Sequence, residues 1–216
     1  MKKNLTELVF VLDRSGSMAG LESDTIGGFN ALLEKQKKAD GEANVTTLLF
    51  DDCMELLHDR ISIKGVAPIT DRDYYVRGST ALLDAIGFAI NKIVNVQRQT
   101  AKEEQASKVM FVITTDGMEN ASKEYTYGRI KQMIEHQKSK YQWEFLFLGA
   151  NIDAVKTAVS FGIHEDYAVN YHSDAKGTAL NYEVLAEAVT NFRESKTISK
   201  QWKSRIEEDY VSRKND

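Results

Sequence analysis

The sequence predicts an α/β domain: a mostly parallel, six-stranded sheet with one antiparallel edge strand and helices on both faces. Three observations predict it. Short apolar runs of strand length alternate with amphipathic stretches of helix length along 216 residues. The runs are nearly continuous in apolar character, as in strands covered on both faces. One pair of runs is separated by only a turn, which makes it a hairpin.

In chain order, Leu5 to Leu12 is the first buried strand, and Ile26 to Lys38 is a helix ending in Lys35, Lys37 and Lys38, where cations complement the helix dipole. Val45 to Phe50 is the second strand. After Asp51 and Asp52, read as turn residues, Met54 to His58 returns antiparallel. Lys64 to Gly78 holds the only proline, Pro68, and is a long loop of the kind that tends to carry function. In Thr80 to Val96, Leu82, Leu83, Ile86, Ile90, Ile93 and Val94 recur at spacings of three and four, the clearest helical face. Strands follow at Lys108 to Thr115, Trp143 to Gly149 and, more weakly, Tyr167 to Tyr171. Helices fall at Tyr125 to Gln137, Ile152 to Phe161 and Leu180 to Phe192. Residues 1–193 therefore read as one domain and 194–216 as a charged helical extension. There Ile198, Trp202, Ile206 and Tyr210 form an apolar stripe, suited to packing on the domain or to docking a partner.

Composition narrows the function. A formal net charge of -4 argues against nucleic-acid binding, which needs a basic footprint. The single cysteine, Cys53, allows no disulfide framework and reads as a small buried apolar residue in a reducing compartment. No apolar stretch approaches the roughly 18 residues of a membrane span. The N-terminal run meets Glu7 and Asp13 before any signal-cleavage site, so a cytoplasmic protein is expected.

In open parallel sheets ligands bind beyond the carboxyl ends of the strands, near the point where strand order reverses. Three polar clusters are expected there: Asp13, Ser15 and Ser17; Gly78, Ser79 and Thr80; and Thr114, Thr115, Asp116 and Gly117. Singly each has a plain explanation, since Ser and Thr cap helices and Asp before Gly makes turns. From these clusters Asp13, Ser15, Ser17, Thr80 and Asp116 supply two carboxylates and three hydroxyls with no Cys or His, a donor set for a hard divalent cation such as Mg²⁺ or Mn²⁺. Ca²⁺ ranks behind these two.

The segments "DRSGS", "GSTALLDAI" and "VITTDGMEN", with the "LLFDD" hairpin, resemble the von Willebrand factor A-type (vWA) domain and its metal-ion-dependent adhesion site (MIDAS) over about Leu5 to Phe192. The resemblance implies a doubly wound, Rossmann-like sheet of the stand-alone, cytoplasmic, microbial type. It implies metal contacts from Ser15 and Ser17 directly, from Thr80 directly or through water, and from Asp13 and Asp116 mostly through water. Neutral hydroxyls leave an ion electrophilic, with a position that an Asp or Glu of a partner protein can take. Arg77, Tyr74, Tyr75 and Met18 are the candidate partner contacts around it.

The expected function is thus a non-enzymatic, metal-dependent protein-binding module. Cytoplasmic members of the resembled family work beside AAA-type ATPases or in stress and metal-resistance systems, which makes a regulatory subunit the first alternative. A metal-dependent hydrolase or phosphotransferase is the second, although no phosphate-binding loop, nucleophile elbow or general-base motif is present. His58, His136, His164 and His172 lack ligand spacing and read as structural or solvent-facing.

Overall fold

The computed structural model describes residues 1–195 and 197–213. Six strands, β1 (Lys2–Asp13), β2 (Glu42–Phe50), β3 (Met54–Ser62), β4 (Ala106–Thr115), β5 (Glu144–Gly149) and β6 (Ala168–Asn170), form one sheet in the order β3-β2-β1-β4-β5-β6. Every neighbouring pair is parallel except β2 and β3, whose antiparallel pairing closes one edge. The expected doubly wound architecture is the one observed.

Alternation along β1 explains the two layers. Leu8, Phe10 and Leu12 face the helices α1 (Glu22–Lys38) and α5 (Ala175–Ser195); Val9 and Val11 face α2 (Leu82–Gln99), α3 (Tyr127–Tyr141) and α4 (Ala154–Ser160). All five side chains are essentially inaccessible, each stabilising the fold by about 1.5–3 kcal/mol before entropy is counted. On the first layer α1 and α5 approach closely at Gly28, where a Cβ would lie within 3 Å of the Tyr182 ring. Arg193 then closes the far end, donating to the carbonyls of Gln36, Asp40 and Gly41 at the end of α1.

The C-terminal stripe is not one helix. A 3₁₀ turn at Lys200–Lys203 precedes the short α6 (Ser204–Ser212), and Ile198 lies before both. Ile198 and Ile206 are buried in the α1/α5 layer, with Trp202 packed against it. The indole N–H of Trp202 donates to the Asp166 carbonyl at 2.9 Å. Among the described residues no helix is long and apolar enough to cross a membrane.

Candidate metal centre

Strand order reverses between β1 and β4, and the three polar clusters meet beyond the carboxyl ends of these two strands. In the loop after β1, the Asp13 carboxylate accepts the Ser15 N–H at 2.7 Å, and Gly16 to Met18 form one 3₁₀ turn. That turn has no side-chain cap, so the Ser15 hydroxyl is not spent on capping. Thr80 does not cap α2 either. Leu83 and Asp84, in the helix's first turn, instead donate their N–H groups to Glu119 Oε2 and Ser122 Oγ. The Thr80 hydroxyl donates to Ser15 Oγ at 2.9 Å, and Ser15 Oγ lies 3.1 Å from Ser17 Oγ.

Backbone bonds hold the loops together. Gly16 N–H donates to the Gly78 carbonyl, Arg77 N–H to the Arg14 carbonyl, and Asn120 N–H to the Thr80 carbonyl. Asn120 also accepts the Thr80 N–H through its side-chain oxygen. Gly78 must be glycine: its φ is +66° and a Cβ would fall 2.1 Å from Asp52 Oδ1. Gly117 brings the third cluster in, since a Cβ there would stand 2.8 Å from Ser17 Oγ and 3.1 Å from Thr80 Oγ1.

The two carboxylates flank this hydroxyl group. Asp13 is 1% exposed; burial pushes its carboxyl up, opposed by hydrogen bonds from Ser15 and Thr115, whose hydroxyl donates at 2.6 Å. Asp116 is equally buried. Burial raises it too, hydrogen bonds from Ser173 and Asn151 oppose the rise, and the Asp13 charge adds to it. Two buried carboxylates beside three uncapped hydroxyls form an all-oxygen donor set with excess negative charge, which fits a hard divalent cation. Asp13, Ser15, Ser17, Thr80 and Asp116 therefore stand in one constellation.

Several flanking expectations are corrected. Met18 is 4% exposed, because the 3₁₀ turn tucks it under the loop, so it is no rim contact. Tyr74 is buried as well, its hydroxyl donating to the Asp13 carbonyl at 2.5 Å, and it cannot flank a partner. Tyr75 and Arg77 are exposed as expected, with both the Arg14 and Arg77 guanidinium groups about 5 Å from the Tyr75 ring centre. Asp51 is more than a turn residue: fully buried, it accepts from Arg14 at 3.0 Å and Arg77 at 2.6 Å. Burial works against its charge, but the Arg77 hydrogen bond and the two guanidinium charges hold its carboxyl below the ordinary value. Asp51, Asp52 and Cys53 lie close enough together to suggest a metal group, yet the Asp51 charge is already met by two arginines. Cys53 is exposed rather than buried, because the hairpin turn carries it outward.

Four contributors escaped the sequence reading. Arg14 lies inside the first motif and is wholly buried. Asn151 and Ser173, just beyond the ends of β5 and β6, donate to Asp116; looking past those strand ends as well would have found them. Met118, next to Gly117, is the exposed apolar residue at the rim that Met18 is not.

The sequence matches no protein-family model and no curated protein. Solved structures do match. The von Willebrand factor domain of the type V pili tip protein Mfa5 from Porphyromonas gingivalis superposes with a TM-score of 0.65 at 9% identity, covering 92% of this chain and 99% of that one. The fold is that of a von Willebrand factor A domain. The manganese-loaded TRAP protein of Plasmodium vivax shares this vWA fold at a TM-score of 0.55 and 17% identity, covering 83% of this chain and 72% of that one. Proximal thread matrix protein 1 of the mussel byssus, solved with a zinc-occupied MIDAS motif, gives 0.57 and 16%, covering 87% of this chain. The present chain spans 46% of the mussel chain's length.

Proposed function

We propose that this chain is a divalent-metal-dependent protein-binding module, with Mg²⁺ or Mn²⁺ held by Ser15, Ser17 and Thr80 and supported by Asp13 and Asp116. The observation that carries the reading is the contact among three hydroxyls that cap no helix, in loops that also carry two buried carboxylates at the sheet's switch point. The manganese and zinc of the two neighbours named above support a divalent ion by analogy of fold.

A divalent ion bound there supplies an electrophilic position for a partner's Asp or Glu oxygen. The chain's own residues do the rest. Ser15 and Ser17 present neutral oxygens that leave positive charge unspent, while Asp13 braces the loop by accepting the Ser15 N–H. Arg77, half-exposed beside Tyr75, adds a cationic flank for an acidic partner. A binding role is favoured over catalysis because, among the described residues, the three hydroxyls bond to one another and to no imidazole able to take a proton.

The test has two stages. Titration of Mn²⁺ followed by the electron paramagnetic resonance of the free ion should show one bound ion, weakened at least about tenfold in Ser17→Ala. Immobilised metal-loaded protein should then retain peptides presenting Asp or Glu, release them with EDTA, and ignore their Asn and Gln counterparts. Retention indifferent to both EDTA and Ser17→Ala would refute the reading.

A further inference from the structure

The two rims of the candidate metal centre differ in chemistry. The strand order β2-β1-β4 puts the end of the β2–β3 hairpin on one side of the β1 loop and the end of β4 on the other. Arg77 marks the first rim, its Nε donating at 2.6 Å to Asp51, the residue after β2. Met118 marks the second. It follows Gly117, whose backbone lies against the Ser17 and Thr80 hydroxyls, and at 73% it is the most exposed large apolar side chain among the described residues.

Both rims are held in advance of any partner. Arg77 N–H donates to the Arg14 carbonyl, and its guanidinium is fixed by Asp51, by a 3.3 Å bond from Nη1 to the Tyr75 hydroxyl and by the Tyr75 ring. Two of its five N–H groups are thus engaged; the others have no partner among the described residues, and the side chain is 43% exposed. The acids nearby do not use them up. Asp51 is shared with Arg14, Glu55 is bound to Arg14 at 2.8 Å, and Asp52 is exposed, where solvent screens it. On the other rim, Asn120 and Ala121 donate their N–H groups to the Thr80 carbonyl, which fastens the Met118 loop to the hydroxyl group.

We propose that the partner's binding segment is an extended stretch with a second acidic side chain on one side of its ion-bound Asp or Glu, taken by Arg77, and an apolar side chain on the other, taken by Met118. This rests on the metal-dependent reading above and adds a direction to it. Adjacent strands are about 4.8 Å apart, so a segment lying across the strand ends at about 3.3 Å per residue passes from the β1 loop to either rim in about two residues. The free fork of Arg77 matches a carboxylate, and being already immobilised it loses little freedom on binding. Met118 is apolar and adaptable, suited to an aliphatic side chain of variable shape.

The experiment measures binding of labelled peptides to the Mn²⁺-loaded protein by fluorescence anisotropy. The probes are Glu-Ala-Asp-Ala-Leu and its reverse, Leu-Ala-Asp-Ala-Glu, each with versions carrying Gln for Glu or Ser for Leu. In the tighter-binding order, Glu and Leu should each improve affinity by about fivefold over their replacements. Arg77→Gln should abolish the Glu advantage and spare the Leu advantage; Met118→Ser should do the reverse, and Met118→Leu should restore it. Arg77→Lys keeps a charge for Asp51 without the fork and should also lose most of the Glu advantage, which covers the case that Gln disturbs the hairpin. Added salt should shrink the Glu advantage and leave the Leu advantage. Advantages that are missing in wild type, or that persist equally in the Arg77 and Met118 variants, overturn the proposal, the second being the result of two acids merely competing for the ion. If EDTA releases none of the peptides, or none binds, it is the metal-dependent reading that falls, so the two failures are distinct.

Discussion

At Gly117 the missing side chain is a requirement of the site rather than of the backbone. A methyl group there would stand against the Ser17 and Thr80 hydroxyls, both ends of side chains that can turn away. Gly117→Ala should therefore leave stability within about 0.5–1 kcal/mol of wild type, as for changes outside the core, while weakening Mn²⁺ binding by about tenfold or more. Urea denaturation and the free-ion signal check the two halves; undiminished binding would mean that the hydroxyls do not need that space. The residues of the candidate constellation were legible because oxygen-bearing side chains in three motifs are rare neighbours of strand ends. Their surroundings were not. Burial of Met18 and Tyr74 depends on how irregular loops fold back, and no periodicity records that. The same holds for Asp51, whose role as acceptor for Arg14 and Arg77 joins residues 37 and 26 positions apart.

Between elements, the contact of α1 with α5 turns on Gly28. Three atoms of Tyr182, its Cβ included, would lie 2.4 to 2.9 Å from an added methyl group. Alanine gains about 1 kcal/mol over glycine in helix propensity, but overpacking a tight contact costs about 1–3 kcal/mol, and a side chain blocked at its Cβ cannot rotate out of the way. Gly28→Ala should thus lower the urea midpoint, whereas Gly27→Ala, with nothing within 4 Å, should raise it. If both changes stabilise, the helices are not in this contact. Neither glycine could be assigned from sequence, since adjacent glycines in one helix differ only in what faces them. Element positions fared better: strong periodicity located α2, and the ends shifted by a few residues where caps come from distant side chains such as Glu119. The C-terminal stripe misled because spacing of four survives a change from 3₁₀ turn to α-helix; Ile198 reaches the core without being helical.

For the whole molecule, the alternation of strand and helix signals specified a parallel sheet, and the lone hairpin specified its edge. The Arg213 to Asp174 pairing that brings the end of α6 to the β6 end was invisible, because it joins half-buried charges 39 residues apart. One consequence of the architecture is measurable on the entire chain. The candidate ligands come from the loops after β1 and β4 and the approach to α2, so they assemble only when the sheet has formed. An ion that binds this native set and not the unfolded chain adds stability of RT ln(1 + [L]/Kd), about 2.7 kcal/mol at a hundredfold excess over Kd. For a chain of this length each kcal/mol raises Tm by about 2–4 °C, so saturating Mn²⁺ should raise it by roughly 5–11 °C. EDTA should reverse the rise, and Ser17→Ala, whose half-open hydroxyl supports little of the fold, should melt like the metal-free wild type and gain much less on adding the ion. An equal gain in Ser17→Ala would trace the stabilisation to ions elsewhere on the acidic surface, and with it the assignment of the metal to these loops would fall.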